Sequence, residues 1–105
     1  MVKHIILWQL REELSAEEAL EVKKGMKEGL ENLKEVLPGI VEIHVQTDCL
    51  ASSNADVILD STFENEEALK NYAVSKEHVA VADEKVKPFT RTRVCMDYEI
   101  ADGDI

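Results

Sequence analysis

The chain opens with a two-residue alternation and then changes to a spacing of three and four. Residues 2–10 predict a strand with Val2, His4, Ile6, Trp8 and Leu10 on one face, and Ile5 and Leu7 make the opposite face apolar too. A strand that is apolar on both faces has to be covered on both. Ser15 and Glu18 then form an S-x-x-E capping box, with Leu14 where a hydrophobic staple packs. Ala19, Val22, Met26, Leu30, Leu33 and Leu37 continue as the single apolar stripe of an amphipathic helix. Gly25 and Gly29 interrupt that helix at about 1 kcal/mol each. Either something approaches the helix closely there, leaving room only for glycine or a ligand, or the cost is simply tolerated. Pro38-Gly39 ends the helix.

Alternation returns over residues 40–49, with Val41, Ile43 and Val45 opposed to Glu42, His44 and Gln46. Ser52-Ser53-Asn54 reads as a loop, and Val57 to Phe63 as a third strand. Asn65 caps a short helix whose first turn holds Glu66 and Glu67, the favourable sign for the helix dipole. Ser75 caps a further helical segment running to Pro88, and Thr92 to Ile100 form a fourth strand. Residues 101–105 read as an acidic tail outside a single domain spanning residues 1–100. The order β-α-β-β-α-β predicts an α+β, ferredoxin-like fold: a four-stranded antiparallel sheet with helices on one face. Ile5, Leu7, Val94 and Met96 leave the helix-free face too apolar for water, which predicts a homodimer through that face.

Composition narrows the partners. Twenty-two acidic residues against twelve basic ones give a net charge of −10, which argues against nucleic acid and against anionic lipid. A hydrophobic share of 45% is enough for a packed core and argues against disorder. The apolar run Ile5–Trp8 is too short for a signal peptide or a membrane span. Cys49 and Cys95 form no C-x-x-C pair, so the reading is a cytoplasmic protein with two reduced thiols, a single disulfide being the alternative. No metal-ligand spacing, serine elbow or glycine-rich phosphate loop occurs, so neither a metal nor a cofactor is expected.

A few near-neutral side chains remain as candidate chemistry. His78 has the residue type to take a proton from an acidic carbon and return it to oxygen, and a place in the first helical turn favours its neutral form. The plainer alternative is a capping or surface histidine. Tyr72 has a hydroxyl suited to a developing enolate, or else it is an aromatic packed over the sheet. In this topology the first and last strands are antiparallel neighbours, which brings His4 toward Asp97, on a face shared with Cys95 and Arg93. Such a pair orients an imidazole for chemistry or serves structure alone. Cys95, in mid-strand, reads as a small core residue, and His44 as solvated. Ile6, Trp8, Met26 and Val79 are the expected walls of a small apolar substrate pocket.

A set of short stretches in this order resembles the stress-responsive A/B barrel (Dabb) family of dimeric α+β barrel proteins, over about residues 2–100. They are Val2-Lys3-His4-Ile5-Ile6-Leu7, Pro38-Gly39-Ile40, Ala55-Asp56-Val57, Phe63 to Leu69, Tyr72, Glu77-His78, Lys87-Pro88 and Asp97-Tyr98-Glu99. The resemblance implies two ferredoxin-like subunits whose sheets form a barrel across the dimer. It implies no single activity. The family's clearest enzyme is a plant polyketide cyclase that closes a ring by metal-free aldol chemistry, using a Tyr and a His separated by five residues. Tyr72 and His78 have that spacing, and His4 matches a further pocket histidine. The chain departs from the family in carrying Ser75-Lys76 where members often have His-Pro before the matched histidine. The local match to that enzyme implies proton-transfer chemistry on a carbonyl-containing small molecule. A non-catalytic, stress-related oligomer is the alternative, and monooxygenase activity like that of neighbouring barrel families a more distant one.

Overall fold

The computed structural model describes residues 1–101. The expected acidic tail beyond Ala101 lies outside these described residues. Four strands, β1 (Val2–Leu10), β2 (Ile40–Gln46), β3 (Val57–Phe63) and β4 (Thr90–Glu99), form one antiparallel sheet in the order β2-β3-β1-β4. The helices are α1 (Ala16–Glu31), α2 (Leu33–Val36), α3 (Glu66–Val74) and α4 (Lys76–Val81). This is the ferredoxin-like α+β arrangement expected from the order of elements. None of these helices is long and apolar enough to cross a membrane.

Local chemistry explains where the helices begin. The Ser15 hydroxyl accepts from the Glu18 amide while the Glu18 carboxylate accepts from the Ser15 amide, so the predicted capping box is complete. Asn65 caps α3 through its bond from the Ala68 amide, and the Ser75 hydroxyl caps α4 from the His78 amide. The stripe Val22, Met26, Leu30 and Leu33 is buried against Ile6, Trp8, Val45, Val57, Leu59 and Phe63 of the sheet.

The elements differ from the sequence reading at several points, including β2, which stops at Gln46 rather than residue 49, and β4, which runs from Thr90 to Glu99 rather than from Thr92 to Ile100. The first helix breaks at Asn32, a poor helix former, before resuming as α2. The segment after Ser75 is not one helix: α4 passes into a π-helical turn at Ala82–Val86 and a 3₁₀ turn at Lys87–Phe89, where Pro88 ends it. In β2 the register shifts between Ile40 and Glu42, and this bulge puts Ile40 rather than Val41 on the core face. The glycines in α1 also separate. A side chain at Gly29 would meet Val81 at 3.0 Å, a close approach between helical segments, whereas Gly25 has ordinary room.

The sheet faces are unequal. Val2, His4, Ile6, Trp8 and Leu10 are buried under the helices, while Leu7, Val94, Met96 and Tyr98 stand exposed on the other side. That open face also carries an ion pair between Lys3 and Asp60 at 2.5 Å. Cys49 and Cys95 are both free and exposed.

Gly39 is the one described residue with a positive φ, at 84°, and a Cβ there would lie 2.6 Å from the Ala68 Cβ. Gly39→Ala therefore suffers both backbone strain and a clash that seats α3 away from the β2 entry. It should lower unfolding stability by roughly 1–3 kcal/mol. A urea midpoint equal to that of the parent chain would show that this approach is not maintained.

Candidate functional site

The site starts from strand register. Pairing of β1 with β4 sets His4 opposite Asp97, Ile6 opposite Cys95 and Trp8 opposite Arg93. Directly opposed residues in an antiparallel pair point to the same side, so β4 presents Arg93, Cys95 and Asp97 beside the helix-covered face. The imidazole Nδ1 of His4 lies 2.5 Å from Asp97 Oδ1, and only 8% of the His4 side chain is exposed. The expected His4–Asp97 juxtaposition is thus present, and Cys95 joins it, with Sγ 3.8 Å from Nδ1 and 3.6 Å from the carboxylate.

Aromatic rings link this pair to α3 and α4. His4 meets Phe63 and Tyr72 edge to face at centroid separations of 6.1 and 6.2 Å, and Phe63 packs on Tyr72 at 4.9 Å. Tyr72 in turn lies 4.4 Å from the His78 ring. The residues Tyr72, His78, His4 and Asp97 therefore form one continuous group.

Tyr72 is 2% exposed, and its hydroxyl is buried without a hydrogen-bond partner. Burial pushes its pKa up, with the Arg93 charge opposing, so the phenol stays protonated and is a donor without an acceptor. His78 is half-buried. Its Nδ1 faces the Ala73 carbonyl at 3.2 Å, so the neutral ring carries its proton there and leaves Nε2 as the basic nitrogen. Burial lowers the His78 pKa, the Ala73 carbonyl opposes this, and the charges of His4, Arg93 and Lys87 lower it further. The favoured neutral form matches the sequence expectation, but the main cause is desolvation rather than the dipole of a six-residue helix. Burial and the Asp97 charge raise the Cys95 pKa, keeping it a thiol.

The expected pocket walls do not come together. Ile6, Trp8 and Met26 are packed into the central core, Met26 fully, whereas Val79 is 41% exposed and outside that core. Two grooves border the site instead. One, of about 540 Å³, runs between α3 and β4 and is lined by Val2, His4, Leu69, Ala73, Arg93, Cys95 and Asp97 among others. The second, of about 340 Å³, lies between the Pro38-Gly39 turn and α3 and includes Tyr72. Sequence reasoning assigned no role in the site to Cys95, and it found no Cys/His cluster because the cluster is made by cross-strand register rather than by spacing. His44 is exposed, as expected.

Two measurements test this geometry. Tyr72→Phe removes a hydroxyl that is buried with nothing to bond, so the ligand-free protein should become more stable by about 1 kcal/mol. A loss of stability would mean that the hydroxyl has a partner. For His78, the folded pKa lies below the ordinary 6.5, so on acidification the unfolded chain binds the proton first. Stability is then unaffected by this group above that value and declines as pH falls below it toward the folded pKa. His78→Gln should flatten the dependence of the urea midpoint on pH in that window.

Comparison with known proteins places the chain among relatives of the same size. A Bacteroides fragilis structure, described as a dimeric protein of unknown function with a ferredoxin-like fold, is 34% identical with a TM-score of 0.88, covering 94% of this chain and 95% of that one. An Arabidopsis thaliana protein is 25% identical with a TM-score of 0.74, covering 97% of each chain. The hydroxynitrile lyase of Passiflora edulis shares the fold at 21% identity and a TM-score of 0.73, covering 96% of this chain and 94% of its own. No match was found among curated proteins. The profile of the Stress Responsive A/B Barrel Domain matches residues 2–100. The chain belongs to that family, the Dabb family.

Proposed function

We propose that the protein is a homodimer whose subunits each perform cofactor-free proton transfer on a carbonyl-containing small molecule, through enolisation, aldol closure or lyase chemistry. The observation that carries this reading is the buried, unpartnered Tyr72 hydroxyl, on a ring that packs against the ring of His78. A donor kept without an acceptor costs stability unless a ligand oxygen completes it. In the reaction, His78 Nε2 removes a proton from the carbon next to the carbonyl. Tyr72 donates to the oxygen as its charge grows, and His4, oriented by Asp97, lies behind Tyr72. The fold is compatible with lyase activity, since one protein that shares it is a hydroxynitrile lyase.

Dimerisation through the open sheet face is supported by the exposed Leu7, Val94, Met96 and Tyr98 and by the dimeric description of the Bacteroides fragilis relative. Sedimentation of the wild-type chain at micromolar concentration should give twice the monomer mass. Val94→Glu combined with Met96→Lys should shift it to monomer.

A second reading, a stress-related oligomer without catalysis, is favoured by one observation: Tyr72 packs directly on His78, and the grooves on either side have separate linings. Exchange of α-carbon hydrogen for deuterium in 1,3-dicarbonyl compounds, followed by NMR, separates the two. Catalysis predicts accelerated exchange that His78→Gln abolishes and Tyr72→Phe slows by about 10²–10³-fold without unfolding the protein. Equal exchange by wild type and His78→Gln would remove His78 as the base.

A further inference from the structure

We infer that His4, Cys95 and Asp97 form a binding site for one divalent transition-metal ion of the zinc class. Their candidate ligand atoms, one nitrogen, one sulfur and one carboxylate oxygen, all lie within 4.8 Å of one another. Imidazole, thiolate and carboxylate together suit Zn²⁺ or Co²⁺ better than a hard, oxygen-seeking cation.

The separations fit a small tetrahedral ion. With ordinary zinc bond lengths, neighbouring ligand atoms of a tetrahedron stand about 3.4–3.6 Å apart. The Sγ–Oδ1 distance is 3.6 Å and the Sγ–Nδ1 distance 3.8 Å, so two edges of the tetrahedron already exist. The third edge, between Nδ1 and Oδ1, is 2.5 Å. It has to open by about 0.9 Å to reach the same geometry, so the ion replaces the His4–Asp97 hydrogen bond and the metal-bound form is distinct from the cofactor-free form proposed above. The Asp97 side chain is 46% exposed on a strand edge, free to make that rotation. His4 is held by the edges of Phe63 and Tyr72, which gives the site one rigid ligand and two adjustable ones.

The fourth coordination position faces the groove between α3 and β4, so the site is of the open kind that keeps a water or a ligand oxygen. The charges balance as well. A thiolate and a carboxylate cancel the ion, the displaced thiol proton passing to solvent, and Arg93 stands in the same groove to accept an anionic group beside the metal.

The test uses the full reduced chain, titrated anaerobically with Co²⁺ alone. One equivalent per chain should give the visible bands of tetrahedral cobalt and a near-ultraviolet thiolate-to-cobalt band, both removed by Zn²⁺. Cys95→Ser should abolish the thiolate band, and Asp97→Asn should weaken binding at least tenfold. Cys49→Ser should change neither, because Cys49 lies in a different groove, with Leu7 and Gln46. Both cysteines are exposed, so serine at either position is compatible with folding, which circular dichroism checks. Absence of the bands in the wild-type chain, or their persistence in Cys95→Ser with loss in Cys49→Ser, would overturn the assignment. The readout is spectroscopic, so it stands or falls apart from any catalytic assay.

Discussion

The antiparallel pairing of β1 with β4 is the interaction on which the rest of the structure depends. β1 is an inner strand, paired on both edges, and its alternate residues fill the core beneath α1 and α3. That fixes its register, because a slip of one residue would turn Ile6 and Trp8 outward and expose them. β4 has no such core to hold it, since its side chains are exposed along nearly its whole length. Its register comes from β1, and so does the placing of Asp97 against His4 and Cys95 against Ile6. The candidate chemistry is therefore a by-product of core packing one strand away.

The aromatic group above this pair shows how stability and function oppose each other at one residue. Tyr72 contributes packing to Phe63 and His4 that a phenylalanine would supply equally well. Its hydroxyl adds only a buried donor without an acceptor. A purely structural position would gain by losing it, since an unmet buried polar group costs about 1–3 kcal/mol. The pressure on His78 is parallel: burial makes protonation unfavourable, which costs stability at low pH and keeps the ring unprotonated near neutrality.

Much of the fold was legible in the chain because the signals are local and repeated. The capping box at Ser15, the caps at Asn65 and Ser75 and the alternation in β1 each name an element by chemistry confined to a few residues. The approach of His4 to Asp97 was legible for a different reason, since topology makes the outer ends of β1 and β4 neighbours. The failures have physical causes too. A stripe such as Val22, Met26 and Leu30 looks the same whether it lines a cavity or closes a core, so periodicity could not tell that Met26 has no room beside it. The bulge at Val41 changes the facing of one side chain without altering composition. The π-helical turn after Val81 lies where Val81 and Lys85 come close to Gly29 and Gly25, an approach between segments far apart in sequence. The Cys95 cluster was hidden because His4 is 91 positions away from Cys95 and is brought to it only by register.

The same unequal covering that limits the core also explains the shape of the surface. Among the described residues, the helices cover one side of the four-stranded sheet. The chain's charge of −10 keeps the helical exterior well solvated. On the face where Leu7, Val94 and Met96 lie, Lys3 pairs with Asp60. A face of that composition is favourable against a second copy of itself, since two such faces bury apolar surface without opposing like charges. Pairing of that kind would also hold β4 from its outer side. The strand that carries Asp97, Cys95 and Arg93 would then be as firmly placed as the core strand it borrows its register from.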